Sequence, residues 1–204
     1  MSMRVWGQSQ GADTSKVFLE EAEMFEFQTK KGSLYAGAVF GVGLGVRSEE
    51  LNLSTGSALG DAMFNPKVGF YVVDRLQAGI SVDMFGSFAS ISYAESHTLS
   101  YYTFNPYVRY YLKSGFFGET QMGWGRGSEQ VLNDNEILVK SPFEIQHFSV
   151  GAGLGNFWFK QLSLELLLRY TLSSGEFEDT GQHFFIHNLS MTAGIGLHLG
   201  RIGK

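Results

Sequence analysis

His147 and Ser149 are the two side chains in this sequence whose types and spacing could form a hydrolytic pair. A histidine can act as the general base that activates a serine hydroxyl, if both side chains reach the substrate. In a β-strand, residues two apart point to the same face. His147 and Ser149 would share that face with Gly151 and Gly153, which we expect to line the interior of a barrel. We therefore expect His147 to be a hydrogen-bonded interior residue rather than a catalytic base.

A second set of residues with chemical potential consists of six charged side chains in the regular part of the chain. They are nearly balanced in sign and have the parity of the small residues: Lys67, Asp83, Arg109, Glu119, Glu165 and Arg169. A buried charge needs a partner, because its desolvation is costly. A tight turn between the segments would bring Arg109 opposite Glu119 and Lys67 opposite Asp83. The spacing predicts charge pairs that close a lumen, rather than an ion path.

Cofactor, metal and nucleic-acid sites are not predicted. His183, His187 and His198 do not have the spacing of a closed metal site, although His183 and His187 share one face of a strand. The glycine runs at 41–45 and 151–155 lack the G-x-G-x-x-G spacing of a dinucleotide loop. A net charge of −5 offers no basic surface for nucleic acid.

The composition favours a single domain with unusual glycine content. The chain has 204 residues, 26 glycines, no cysteine and only 17% charged residues, a combination that is rare in soluble domains. No apolar run reaches the ~18 residues of a membrane helix, so any membrane span would have to be a closed barrel. We predict an N-terminal extension at 1–32 and a barrel at 33–204. Gly7, Gln8 and Ser9 have the small-x-small pattern of a signal-peptidase site, which predicts a signal-peptide remnant.

Alternation of apolar and small or polar residues dominates from residue 33 onward, and it is typical of strands with one apolar face. It recurs in eight segments, near residues 34–46, 63–73, 76–86, 101–112, 116–126, 144–155, 162–172 and 184–199. An even number of segments suits an antiparallel barrel, because closure then needs no parallel pair. The pattern predicts an all-β fold, an eight-stranded antiparallel up-and-down transmembrane barrel.

The predicted connections alternate between long and short. The long ones are 48–62, 87–100, 127–142 and 173–183, and the short ones are 74–75, 113–115 and 156–161. Long connections therefore collect on one rim and tight turns on the other. A repeated Phe-Asn-Pro, at 64–66 and 104–106, is expected near the start of two strands, by the rim, where proline is best tolerated.

The apolar face is predicted to point outward, because it carries the bulky side chains and an eight-stranded interior has room only for a filling of smaller ones. Ten residues from the tight turns, this face carries one aromatic per strand on most strands: Phe64, Phe104, Trp124, Phe148 and Tyr170. A second set lies near the turns: Phe70, Tyr110, Phe116, Phe157, Trp158 and Phe159. Two aromatic girdles about 25 Å apart are typical of barrels in the outer membrane.

The segments 65–79, 104–111 and 117–119 resemble the outer-membrane β-barrel domain family common in Bacteroidetes, which is related in architecture to OmpX and the OmpA barrel. The resemblance covers residues 33 to 200. It implies a Gram-negative cell envelope protein with a porin-like fold, and its motifs are only weakly specific to any activity. The inward parity of His147 and Ser149 predicts a non-enzymatic protein. Because outer-membrane barrels have long extracellular loops and tight periplasmic turns, the connections predict an outer-membrane location with both termini in the periplasm and four extracellular loops.

Three functions remain open at this point. The first is a structural or surface-interaction role, with outer-membrane lipid, lipopolysaccharide and a protein or ligand at the loops as partners. The second is a lipid-modifying enzyme, since outer-membrane lipid A deacylases are eight-stranded barrels with a His-x-Ser pair. Here that pair has inward parity, and Val150 stands where that family has asparagine. The third is a soluble, lipocalin-like carrier with an apolar cavity.

Overall fold

The chain forms one closed barrel in the part that the structure describes. The computed structural model describes residues 29–49, 57–92, 95–132, 138–159 and 161–200. Within these ranges no helix has the length and hydropathy of a membrane span. The predicted extension at 1–32, with Gly7 to Ser9 at its start, lies outside the described residues except for its last four.

Eight long strands follow one another in chain order, and each pairs antiparallel with the next. They are β1 (Leu34–Glu49), β2 (Ser57–Val73), β3 (Leu76–Ser92), β4 (Glu95–Tyr111), β5 (Phe116–Leu132), β6 (Leu138–Phe159), β7 (Leu162–Phe177) and β8 (His183–Leu199). Pairing of β8 with β1 closes the sheet, which leaves no free edge in the described barrel. The predicted eight-stranded antiparallel barrel is confirmed.

The strands are longer than predicted, mainly at one rim. There the connections shrink to 50–56, 93–94, 133–137 and 178–182, so much of each predicted long loop is strand. At the other rim two tight turns lie as predicted, but β6 continues to Phe159, so the predicted connection at 156–161 is wrong.

A reversal of the apolar face explains why these strand ends escape a sequence pattern. In the middle of β6, Phe148 and Val150 are exposed on the outer face while Ser149 is buried. Towards the rim, Phe143 and Ile145 are buried instead, and the outward residue between them is the charged Glu144. The alternation continues, but its apolar phase moves from the outer to the inner face. In the sequence, the apolar residues change from one parity to the other at this point, and the pattern therefore predicts that the strand ends there.

The register determines the tilt of the strands. Starting from Phe40 on β1, the directly opposed residues are Phe64, Met84, Tyr102, Arg126, Glu144, Glu176 and His183. His183 adjoins Phe184, whose partner on β1 is Glu49, so one circuit returns ten residues further along β1. With ~3.3 Å per residue and ~4.8 Å per strand, that offset corresponds to a tilt of about 40°.

The two Asn-Pro pairs lie in the middle of β2 and β4, not near the rim as predicted. At each of them the ladder to the next strand is interrupted, because proline has no N–H to donate. The Asn65 side chain partly compensates by donating to the carbonyl of Val82, with an N–O distance of 3.5 Å. The Asn105 side chain occupies the space beside Gly123, where a Cβ would lie 1.9 Å from its oxygen. The asparagines therefore fill the gaps that the prolines open.

Gly125→Ala is expected to destabilise the barrel, since its Cβ would lie 1.8 Å from the backbone oxygen of Tyr102 on β4. Backbone cannot move aside without breaking ladder bonds, so we expect a loss of about 1–3 kcal/mol. Gly86→Ala is the matched control, because a Cβ there meets no atom within 4 Å. Urea unfolding of both variants in the same detergent measures the difference. Equal stability of the two variants would contradict this account of the β4–β5 contact.

Candidate functional site: a buried charge cluster in the lumen

Five strands, β2 to β5 and β7, direct charged side chains into the middle of the barrel. We call this set the lumen charge cluster, and it consists of Lys67 on β2, Asp83 on β3, Arg109 on β4, Glu119 on β5, and Glu165 and Arg169 on β7. Each residue has inward parity on its strand, and none is more than 5% exposed. All six predicted lumen residues therefore lie in one buried region.

Glu119 is the centre of the cluster, because three cations converge on its carboxylate. Its oxygens lie 3.0 Å from Lys67 Nζ, 2.6 Å from Arg109 Nη2 and 3.0 Å from Arg169 Nη2. Arg109 is its directly opposed residue on the neighbouring strand, as predicted from the tight turn between β4 and β5. Lys67 and Arg169 reach Glu119 from across the lumen.

Arg109 joins two carboxylates and packs against aromatic rings. Its Nη1 donates to Glu165 Oε2 at 2.7 Å and to the Tyr111 hydroxyl at 2.8 Å. Its guanidinium lies 4.2 Å from the centre of the Phe117 ring. The planar guanidinium of Arg109 suits this position because its N–H groups donate hydrogen bonds in the plane while an aromatic ring packs against its face.

Lys67 does not pair with Asp83, so that predicted pair is wrong. Lys67 lies opposite Ser81, because the β2–β3 register shifts at an irregularity between Tyr71 and Val73, next to the turn. Asp83 instead accepts from Gln121 at 2.8 Å. Its other neighbours are Asn65, Arg169 Nη1 at 3.5 Å and His147 Nε2 at 3.7 Å.

Apolar layers cover the lumen charge cluster towards both rims. On the tight-turn side lies a layer that we call the lower aromatic layer: Tyr35, Tyr71, Tyr111, Phe117 and Phe157, with Leu167 packed against it from between Glu165 and Arg169 on β7. On the other side lies the upper apolar cluster: Phe85, Leu99, Tyr101, Phe143, Ile145, Phe177, Phe184 and Ile186. Between them, the enclosed space beside Asp83 and His147 is about 10 Å³, enough for about one water.

Phe157 belongs to this interior and not to the outer girdle where the sequence placed it. It is 7% exposed, and its ring lies 4.6 Å from that of His198. The reason is the extension of β6 to Phe159, which gives Phe157 inward parity. Phe70, Tyr110, Phe116 and Trp158 of the same predicted set are exposed.

His147 and Ser149 lie inside the barrel, as their parity predicts. They are 5% and 1% exposed, and each faces the lumen rather than the outer wall. The Ser149 hydroxyl has no hydrogen-bond partner among the described residues. The imidazole of His147 lies near Asp83 and Gln121, with Nε2 3.5 Å from the amide nitrogen of Gln121. No bond joins the histidine to the serine in this part of the chain.

A different serine–histidine contact was missed by the sequence analysis. Ser163 Oγ lies 2.9 Å from His198 Nε2, and His198 Nδ1 lies 3.3 Å from the Tyr71 hydroxyl. The signal was available in the inward parity of both residues on adjacent strands. Both are at most 2% exposed, and the rings of Tyr35 and Phe157 pack against His198. The contact therefore lies enclosed among ring side chains and fills the lumen at this level.

The five predicted girdle aromatics all face outward. Phe104, Trp124, Phe148 and Tyr170 are between 42% and 51% exposed, and Phe64 is half-buried against Phe40. Rows of opposed residues climb ~3 Å per strand at this tilt, which puts the five within about 5 Å of one height. On β5 Phe116 lies eight residues below Trp124, or ~20 Å along the barrel axis. The outer wall between these levels is apolar.

Comparison with known proteins identifies the architecture. The sequence matches no protein-family model and no curated protein. Among solved structures, the chain is similar to Neisserial surface protein A, with a TM-score of 0.55 and 12% identity over 82% of this chain and 99% of that chain. It is also similar to Ail, the attachment invasion locus protein of Yersinia pestis, with a TM-score of 0.51 and 12% identity over 83% and 99%. The fold is therefore that of the small outer-membrane barrels.

Replacement of Arg109 by Met is expected to cost about 3–5 kcal/mol, because it leaves Glu165 buried without its nearest cation. Adding Glu165→Gln should recover part of that loss. Adding Glu119→Gln should not, since Lys67 and Arg169 would then lose their shared carboxylate. Unfolding free energies of the single and double variants test this. Purely additive losses in both double variants would show that the charges do not interact.

Proposed function

We propose that this chain is a non-enzymatic outer-membrane barrel of the Gram-negative cell envelope, which anchors in the membrane and closes its own lumen. The observation that carries the proposal is the polarity of the wall. Large apolar side chains are exposed all around the outside, for example Phe40 at 64% and Leu168 at 53%, while the six charges of the lumen charge cluster are buried inside. In water, that arrangement would be unfavourable twice, because apolar side chains would be exposed to solvent and charged side chains would be removed from it. In a bilayer it satisfies both.

The buried charges also disfavour the alternative of a soluble carrier of apolar ligands. Such a barrel needs an open apolar cavity, whereas the middle of this lumen holds three cations and three carboxylates in mutual contact. An apolar ligand there would separate ion pairs without replacing their contacts. The same contacts support a role for the cluster as a plug.

The non-enzymatic part of the proposal rests on the positions of the nucleophile candidates. Ser149 and Ser163 both lie in the lumen, out of reach of a lipid in the membrane. On the outer wall, His187 is paired with the Tyr170 hydroxyl at 3.0 Å rather than with a serine. No catalytic residues, catalytic metal or cofactor are proposed.

The proposed orientation follows the two rims. In barrels of this class the tight turns face the periplasm, which would put both termini there. On the other rim the wall continues above the girdle: Leu132 is eight residues beyond Trp124, or ~20 Å along the axis. This raised wall and its four hairpin ends would carry the surface role, with lipopolysaccharide and a protein or other ligand as partners. Membership of the Bacteroidetes-type family is part of the same proposal.

The purified chain is expected to require detergent or lipid to stay folded and to migrate on gels in a heat-modifiable way. Its exposed apolar wall should otherwise drive aggregation. Gel migration with and without boiling, in detergent and in plain buffer, makes the comparison. A monomer that stays folded in plain buffer would overturn the membrane assignment and would direct attention to an extracted ligand.

Expression in a Gram-negative host should leave the acyl chains of lipid A unchanged. The measurement is mass spectrometry of lipid A from cells that express the chain or its Ser149→Ala variant, with uninduced cells as the control. Loss of an acyl chain in cells that express the chain would contradict the non-enzymatic assignment. Persistence of that loss in the variant would place the activity elsewhere than at Ser149.

A further inference from the structure

Asp61 on β2 is a buried carboxylate that does not belong to the lumen charge cluster. It is 6% exposed, and it lies two residues beyond Met63 on the inward face of β2. Its directly opposed residues are Gly43 on β1 and Ser87 on β3. It lies three residues beyond the girdle residue Phe64, or ~8 Å higher along the axis, in the interior of the raised wall.

The charge of Asp61 has no counter-charge in the part of the chain that the structure describes. The lumen charge cluster is already balanced, because its three cations pair with its three carboxylates. None of the ion pairs among the described residues includes Asp61. The Asn188 amide donates to its Oδ2, which favours the ionised form of the carboxylate. A buried charge in this position is costly unless something neutralises it.

Two oxygen atoms without partners lie at neighbouring positions of this site. One is Asp61 Oδ1 and the other is Ser87 Oγ, and both are buried with no hydrogen-bond partner among the described residues. Direct opposition puts the Cβ atoms of the two residues ~5 Å apart. Their side chains approach each other without the geometry of a hydrogen bond. Buried polar atoms normally have a partner, so the pair indicates a bound ion or water between them.

Asn188 reaches the site from β8, on the far side of β1. A Cβ at Gly43 would lie 3.1 Å from both the nitrogen and the oxygen of the Asn188 amide. The amide therefore lies across the backbone of β1, in space that a larger residue at this position would take. Asn188 and Met63 also line the enclosed space of about 10 Å³ described above. That space gives room for one water next to the carboxylate of Asp61.

The donor atoms and the charge decide what the site can bind. Asp61 and Ser87 offer only oxygen atoms, which are the ligands of hard cations. One carboxylate is neutralised by one positive charge, whereas a divalent ion would leave a net positive charge buried. The narrow lumen has room only for a small ion.

We propose that Asp61 and Ser87 bind a sodium ion inside the upper part of the barrel, with a water from the adjoining space as a further ligand. The ion neutralises Asp61 and joins β2 to β3, while the Asn188 amide joins the same carboxylate to β8. It thereby ties three strands of the raised wall together at one point. The site goes beyond the proposed function, since a barrel can insert in a membrane without it.

The test compares sodium with choline at constant ionic strength. Asp61→Asn removes the charge and keeps the size of the side chain, and Ser87→Ala removes the second oxygen. Asp179→Asn is the matched control, because it makes the same chemical change at an exposed position of the same rim. Each full-length barrel in detergent is unfolded with urea while sodium chloride replaces choline chloride stepwise. The linewidth of the ²³Na NMR signal measures binding to the folded barrels directly, and heat-modifiable migration confirms that each variant is folded.

We expect sodium to stabilise the parent chain and Asp179→Asn but not Asp61→Asn. At a sodium concentration about tenfold above the dissociation constant, the folding equilibrium constant should rise about tenfold. Ser87→Ala should respond less than the parent, and so should the parent when potassium replaces sodium. In choline alone, Asp61→Asn should be more stable than the parent, because it no longer buries an unpaired charge. The sodium signal should broaden with the parent and not with Asp61→Asn.

The absence of a sodium response in the parent, or an equal response in Asp61→Asn, would overturn the proposal. Stronger stabilisation by magnesium than by sodium at equal ionic strength would overturn the choice of a monovalent ion. Stabilisation by acid without any response to sodium would show that a proton neutralises Asp61 instead. If Asp61→Asn does not fold, Ser87→Ala decides the outcome, since an unchanged sodium response in that variant would also overturn the site.

Discussion

The width of the lumen is the constraint on which the rest of this structure depends. Eight strands with an offset of ten residues per circuit enclose a space that is only wide enough for side chains to fill. Long charged side chains can occupy it only where their neighbours are small, and the glycines provide that space. A Cβ at Gly79 would lie 2.2 Å from the oxygen of Val68, and one at Gly153 would lie 2.4 Å from the Phe117 ring. The narrow barrel and its bulky interior therefore account for the glycines at these crowded positions, whereas Gly86 has open space.

Within that width, the barrel has two different interiors, and the outer wall changes in polarity at the same level. Between the aromatic levels, the outer wall is apolar and the lumen holds ion pairs. Above the girdle, Arg126 and Glu144 lie outside and Phe143 and Phe184 pack inside. The upper part is arranged like a soluble protein and the middle part like a membrane barrel, although the same strands pass through both.

This change of phase explains what could be predicted from the sequence and what could not. The number of strands, their antiparallel order and the outward direction of Phe104 or Trp124 follow from local alternation. Opposition of Arg109 and Glu119 follows from one regular hairpin. The contact of Lys67 with Glu119 joins two strands that are not neighbours, so it depends on the tilt of the whole barrel and on one irregularity next to a turn. No pattern within a single segment contains that information.

The upper apolar cluster also makes the two parts of the barrel differ in their response to temperature. In the proposed membrane placement, water surrounds the wall outside this cluster, so the packing of the cluster depends on the hydrophobic effect and carries the associated heat-capacity change. The apolar wall in a bilayer contacts lipid instead of water. Lipid tails are as apolar as the side chains, so the hydrophobic contribution to packing is small there. Cooling would therefore loosen the raised wall before it affects the membrane-embedded part. In the proposed placement, the raised wall is therefore the part of the barrel that adapts in the cold, while the membrane-embedded part stays rigid.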